Sequence, residues 1–96
     1  MDFDWDAEKN RQNIAKHGVC FEDAIKIFDG FTVCRIDDRE DYGEVREISM
    51  GLLFGVTVLV VVHTDRDNNR RIISARKADR EERKYYDRQI QKTFDS

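Results

Sequence analysis

Three arginines and a carboxylate are the side chains of this chain best suited to chemistry. Glu44 and Arg46 open one strand-like segment, and Arg71 and Arg76 lie in another, Arg70–Arg76. Glu44 and Arg46, two positions apart, share a face. Strand alternation places Ser74 and Arg76 on one side, and Arg71, Ile73 and Ala75 on the other. An arginine pair beside a carboxylate is what cleavage of a phosphodiester without a metal uses. Guanidinium forks neutralise charge building on the phosphate oxygens, while a carboxylate or imidazole takes the attacking proton. The same residues also make ordinary surface ion pairs, which are common and contribute little.

A second group lies near the N-terminus. Lys9, Asn13 and Lys16 recur at helical spacing and line one helix face. His17 falls beside that stripe at the helix C-terminus, where the helix dipole favours a cationic side chain. That suits either an acid or a phosphate contact, and equally a solvated face whose histidine satisfies terminal carbonyls. His63, at the end of the most apolar strand, reads as structural. Tyr86 lies on the apolar stripe of the last helix and reads as a core tyrosine with its hydroxyl at the rim.

Other chemistries fit poorly. The acidic run Asp37, Asp38, Glu40, Asp41, Glu44 has neither the alternating ligands nor the glycine of a calcium loop. No phosphate-cradling GxxxxGKS/T and no GxSxG elbow is present. Cys20 and Cys34 form no CxxC and no zinc spacing, so neither a metal nor a cofactor is expected. The first two helices resemble a helix-turn-helix only loosely, because the second offers Lys26 as its one basic residue.

The elements that must position these residues follow from local patterns. Phe3-Asp4-Trp5 reads as a short strand, and Asp6 as the N-cap of a helix over Ala7–His17 that Gly18 ends. Phe21, Ala24, Ile25 and Phe28 repeat as one face of a second helix, closed by Asp29-Gly30. Phe31–Ile36, Glu44–Leu53, Val56–Thr64 and Arg70–Arg76 read as strands. Phe54-Gly55 and the polar stretch Asp65–Asn69 turn the chain between them. Asp79 with Glu82 three residues later opens a last helix carrying Tyr86, Ile90 and Phe94. The expected fold is therefore α+β: two N-terminal helices, a three- or four-stranded, mainly antiparallel sheet covered mainly on one face, and a C-terminal helix.

Size and composition agree with one domain over residues 1–96. The chain is 40% hydrophobic and 39% charged, with ten aromatic residues' worth of core material and no proline. Leu52–Val62 is about half the roughly 20 apolar residues of a membrane span, and the acidic start shows no secretory signal, so a cytoplasmic protein is expected. The net charge of −3 conceals a split. Residues 1–65 hold 7 basic against 14 acidic side chains, and residues 66–96 hold 10 against 6. A nonspecific coat on nucleic acid is basic throughout; this chain has a local basic site on an acidic body, or a surface meeting a partner of complementary charge.

Taken together, the residues resemble the BrnT family of toxins. The resemblance rests on Phe3-Asp4-Trp5-Asp6 with Lys9 and Asn13, then Lys16-His17-Gly18-Val19, and Phe21 through Ala24 to Phe28. It continues through Gly43-Glu44 with Arg46, Gly51, and Arg71-Ile72-Ile73-Ser74-Ala75-Arg76-Lys77-Ala78, followed by Glu82-Arg83 and Tyr86. It implies a RelE-like fold and a ribonuclease that blocks translation, in which the RNA 2′-hydroxyl attacks the adjacent phosphate without a metal. It also implies a type II toxin–antitoxin module. The partner would be a BrnA-like antitoxin with a ribbon-helix-helix domain, in a hetero-oligomer that reaches operator DNA through the antitoxin and represses its own operon.

Carried onto this chain, the resemblance nominates His17, Glu44, Arg46, Arg76 and Tyr86 for catalysis. Within that set, Arg46 and Arg76 would meet the phosphate charge, and His17 or Glu44 would move the proton. Lys9, Lys16, Arg71 and Lys77 would hold the RNA backbone. Two alternatives stand beside this reading: an inactive, partner-binding member of the same fold, and a metal-dependent nuclease built on the acidic run.

Overall fold

The computed structural model describes residues 1–95 of the chain. Strand β1 (Asp2–Trp5) leads into helix α1 (Ala7–His17), then the short helix α2 (Phe21–Ala24) and a 3₁₀ turn (Ile25–Asp29). Strands β2 (Thr32–Asp37), β3 (Arg46–Leu53), β4 (Thr57–Arg66) and β5 (Asn69–Lys77) follow, and helix α3 (Arg80–Phe94) closes the chain. The strands form one five-stranded sheet in the order β1-β5-β4-β3-β2. β2 to β5 are antiparallel neighbours, while β1 lies parallel to β5, with Asp4 opposite Arg71. The expected three or four strands thus become five: the short N-terminal segment completes the sheet edge.

The helix ends follow their local chemistry. The Asp6 side chain accepts from the Lys9 N–H at 3.0 Å, and Gly18 takes the left-handed conformation, φ 71°, that ends α1. Asp79 and Glu82 exchange hydrogen bonds as a full capping box on α3. The second helix departs from its expected form. After Ala24 it tightens to three residues per turn, which brings Phe21, Ala24 and Ile27 into line. Those three are fully buried, whereas Ile25 and Phe28 sit at the margin of the core. Gly51 makes this possible, because a Cβ there would come within 2.8 Å of the Ile27 Cβ.

Helices pack on both faces of the sheet, where the expected fold had them mainly on one. Val19, Phe21, Ala24 and Ile27 cover Leu59, Val61, Ile72 and Ala75 on the first face. Asn13 locks α1 to this layer. Its side-chain amide donates to the carbonyls of Val19 at 2.8 Å and Ala75 at 2.7 Å, and its oxygen accepts from the Ala75 N–H at 3.1 Å. The Lys9–Asn13–Lys16 stripe is therefore split: its middle residue is buried, and the two lysines flank it in solvent. His63 is also buried on this face. Its ring meets Phe28 edge-on, Nε2 is 2.8 Å from Ser49 Oγ, and Nδ1 is 2.9 Å from Asp65 Oδ1. Burial lowers the His63 pKa against the Asp65 bond, which raises it, and so favours the neutral imidazole.

On the second face, α3 covers one end of the sheet by setting Tyr86 among Ile48, Met50, Val58 and Val60. The Tyr86 hydroxyl donates to the Phe31 carbonyl at 2.7 Å, and burial pushes its pKa up. Tyr86 is 1% exposed, so the residue nominated for catalysis is a core residue with its polar end satisfied. Tyr86→Phe is accordingly expected to cost about 1 kcal/mol, the net value of one hydrogen bond, and to leave activity intact; denaturant melts beside activity assays check both. No helix among the described residues is long and apolar enough to cross a membrane.

Candidate functional site

The part of the second face that α3 leaves open gathers the charged residues. A register irregularity decides which ones. Val62 pairs with Ser74 and His63 with Ile72, so Ile73 is an extra residue bulged out of β5. The bulge shifts the alternation by one, and Ile72 and Ala75 both enter the first core. Arg71, Ser74 and Arg76 then share the opposite face. This corrects the simple alternation, which separated Arg71 from Arg76. Arg46 joins them from β3, on the same side as Ile48 and Met50.

Each arginine meets a carboxylate. Arg71 lies 3.2 Å from Asp4 of β1, with both side chains about half exposed. Arg46 bonds Glu44 at 3.1 Å, and its guanidinium lies 4.1 Å over the Tyr42 ring. Arg76 is held more firmly, by two parallel bonds to Glu82 at 2.7 and 2.8 Å, so β5 is tied to the first turn of α3. Asp37, from the acidic run, is likewise committed: its buried carboxylate takes two bonds from Arg39, which lower its pKa to about 2.

The Arg76 bond, ahead of the Asp79 N–H, lowers the Glu82 pKa from 4.5 to about 2. A depressed carboxylate stabilises the fold above its unfolded value and loses that contribution as pH falls through the folded one. The Arg76–Glu82 contribution is therefore complete above about pH 4.5 and lost towards pH 2. Unfolding free energies measured across that window should fall less steeply in Glu82→Gln than in the wild type; equal slopes would refute the assignment.

Two concavities open on this face. One, of about 260 Å³, is lined by Asp4, Glu44, Thr64, Arg66, Asn69 and Arg71. It sets two guanidinium groups and two carboxylates around a space large enough for a phosphate. The other, of about 370 Å³, is a more apolar groove beside α3, bounded by Arg35, Ile48, Met50, Glu82 and Tyr85. Arg66 and Asp4 were not among the sequence candidates. Arg66 was read as turn, and only the extended pairing of Arg66 with Asn69 brings it onto the strand.

The remaining candidates lie elsewhere. Lys9, Lys16 and His17 belong to α1, on the first face, and His17 ends that helix. Lys77 follows Arg76 and points with Ala75 toward the first face, opposite Leu59. The second face thus carries Glu44, Arg46, Arg71 and Arg76, with Arg71 opposite Thr64 and Arg76 four β4 residues further along, opposite Val60 and tied to α3, while Lys9, Lys16, His17 and Lys77 lie toward the first face.

Comparison with known proteins agrees with the fold and extends it. A family model described as the ribonuclease toxin BrnT of type II toxin–antitoxin systems matches residues 5–82. The chain is also similar to the 1.1 Å crystal structure of the Brucella abortus ribonuclease toxin BrnT, with a TM-score of 0.65 and 26% identity. That match covers 83% of this chain and 99% of the other. No curated protein sequence matches significantly. With most of its length matched by the family model and its fold shared with a solved member, the chain belongs to the BrnT family of ribonuclease toxins.

Proposed function

We propose that this protein is a metal-independent endoribonuclease whose reaction takes place on the open face of the sheet. The observation that supports this is the shared face of Arg46, Arg71 and Arg76, with Glu44 and Arg66 at the smaller pocket. An RNA phosphate seated there would displace Asp4 from Arg71, exchanging one charge-assisted bond for another. Arg71 and Arg66 would neutralise the two non-bridging oxygens. Glu44 would accept the 2′-hydroxyl proton as that oxygen attacks phosphorus, and the bond to the 5′-oxygen would break, that oxygen taking a proton from water. The products of such a step are a 2′,3′-cyclic phosphate and a 5′-hydroxyl. Arg46 adds charge beside the pocket, and Arg76 holds α3 against β5. Lys9, Lys16, His17 and Lys77 would contact RNA beyond the cleavage point.

In the same reading, a BrnA-like ribbon-helix-helix antitoxin neutralises the toxin, and the complex represses its own operon. The protein acts in the cytoplasm and inhibits translation. The test is incubation of purified protein with RNA in the presence of a chelator, followed by end-group analysis. Cyclic phosphate ends, formed by the wild type and lost in Arg71→Ala, are the expected result. Cleavage that requires an added divalent ion would overturn the mechanism.

One observation favours a second reading. Arg46, Arg71 and Arg76 all have carboxylate partners within the chain, which fits a surface that binds a partner and no longer reacts. Folded wild-type protein that leaves RNA intact, yet still binds antitoxin, would select it.

A further inference from the structure

The first face holds a cluster that the phosphodiester chemistry does not use. Cys34 on β2, Glu47 on β3 and His63 on β4 come from three adjacent strands, Glu47 directly opposite His63 and Cys34 offset by two residues. Cys34 pairs with Ser49, and Glu47 with His63. Cys34 Sγ lies 3.0 Å from Glu47 Oε2, and one ligand atom from each of the three residues lies within 4.8 Å of the other two. We propose that these three side chains form a binding site for a borderline-soft divalent cation of the Zn²⁺ type.

The donor set is the first reason. Thiolate, imidazole and carboxylate together are the ligands Zn²⁺ takes, whereas Mg²⁺ and Ca²⁺ take oxygen alone. Spacing is the second. Bonds of about 2.0–2.3 Å to a tetrahedral ion put neighbouring ligand atoms roughly 3.3–3.7 Å apart. Cys34 Sγ and Glu47 Oε2 are 3.0 Å apart and all three atoms lie within 4.8 Å of one another, so side-chain rotations of about an ångström close the site.

The third reason is the support behind His63. A carboxylate can only accept here, so the Nδ1 that meets Asp65 carries the ring proton, and Nε2 presents its lone pair. Asp65 is fixed in turn by two bonds from Arg70, at 2.9 and 2.8 Å, and that guanidinium lies 4.5 Å over the Phe28 ring. A carboxylate that accepts one ring N–H of a histidine and so orients its other nitrogen is the usual outer support of a metal site.

Binding asks little of the surroundings. Ser49 Oγ–H now donates to Nε2 and would turn away, and the Cys34 thiol would give up its proton to water. Cys34 is exposed, so water can supply the fourth ligand. The site lies on the opposite side of the sheet from Arg46, Arg71 and Arg76, and has no part in RNA cleavage. Its effect is mechanical: it pins edge strand β2 to β3 and β4.

Co²⁺ is the probe, added to the reduced full-length protein. One equivalent per chain is expected to bind with a thiolate-to-cobalt charge-transfer band in the near ultraviolet. Cys34→Ala should abolish the band, Cys20→Ala should keep it, and Asp65→Asn should weaken binding roughly 10- to 100-fold through loss of the outer support. The exposed position of Cys34 makes its alanine variant a mild one for folding, and circular dichroism of each variant checks that directly. Zn²⁺ should displace Co²⁺ and raise the melting temperature of the wild type but not of Cys34→Ala. Absence of the band, half an equivalent per chain, or a band that survives in Cys34→Ala would each overturn the proposal.

Discussion

Arg71→Ala is expected to lower RNA cleavage by about 100- to 1,000-fold, the usual effect of removing one preorganised donor from charge that develops in a transition state. Its stability should change by less than about 1 kcal/mol, because the Arg71–Asp4 pair is half exposed and such pairs contribute little. The contrast between a large kinetic and a small thermodynamic effect is what separates a phosphate contact from a structural ion pair. Arg71→Lys should recover part of the activity, since it keeps the charge but loses the planar fork. Arg76→Ala offers a comparison with a different pattern. It releases Glu82 and the start of α3, so stability falls together with activity. Cleavage by Arg71→Ala at the wild-type rate would remove the smaller pocket from the mechanism.

Asn13→Ala should have the largest effect on stability of any single polar change. Three buried hydrogen bonds end on that amide, and their loss leaves the Ala75 N–H and the carbonyls of Ala75 and Val19 without partners in the core. At about 1–3 kcal/mol for each buried group left unsatisfied, the loss should reach about 3 kcal/mol or more. That is a large part of the roughly 5–15 kcal/mol that holds a domain together. Urea unfolding should show the midpoint falling with its slope unchanged. Asn13→Asp should be no better, because it sets an acceptor against two carbonyl oxygens. A loss below about 1 kcal/mol in either variant would show that water reaches these groups.

What the sequence made legible, and what it did not, divides along the range of the interactions involved. The caps at Asp6, Gly18 and Asp79 depend on residues within one helical turn, and each is readable from the chain itself. Asn13 had the right helical phase but the wrong neighbour, because its partners lie 62 residues away on β5 and next to α2. The pairing of Arg71 with Arg76 on one face depends on the extra residue at Ile73. That bulge exists only in the register of β4 against β5, and simple alternation has no means of sensing it. The turn after Ala24 shows the same dependence on a distant contact: close approach of Ile27 to Gly51 selects the tighter helix over the α-helical pattern of its own residues.

The candidate site was legible in part for the same reason. Glu44, Arg46, Arg71 and Arg76 stand out as charged residues on strands. Arg66 and Asp4 join them only once β4 is seen to run on through Arg66 and β1 to lie beside β5. His17 has the chemistry of a proton donor, but α1 holds it on the far side of the sheet. Cys34, Glu47 and His63 show no metal-binding spacing along the chain, since they sit on three successive strands separated by two connections.

The parallel pairing of β1 with β5 has a consequence for how the protein is made. β1 is made before the other four described strands and waits for the last of them, β5, and Asp4 meets Arg71 across 67 residues of chain. Such a long closure has to be met before the contacts it permits can form, which places completion of the sheet late in folding. A nascent chain that ends before β5 has neither Arg71 nor Arg76, and β1 has nothing to pair with. The open face therefore comes into being only once β5 has been made, so a chain cut short before β5 lacks the β5 arginines to which RNA cleavage is assigned.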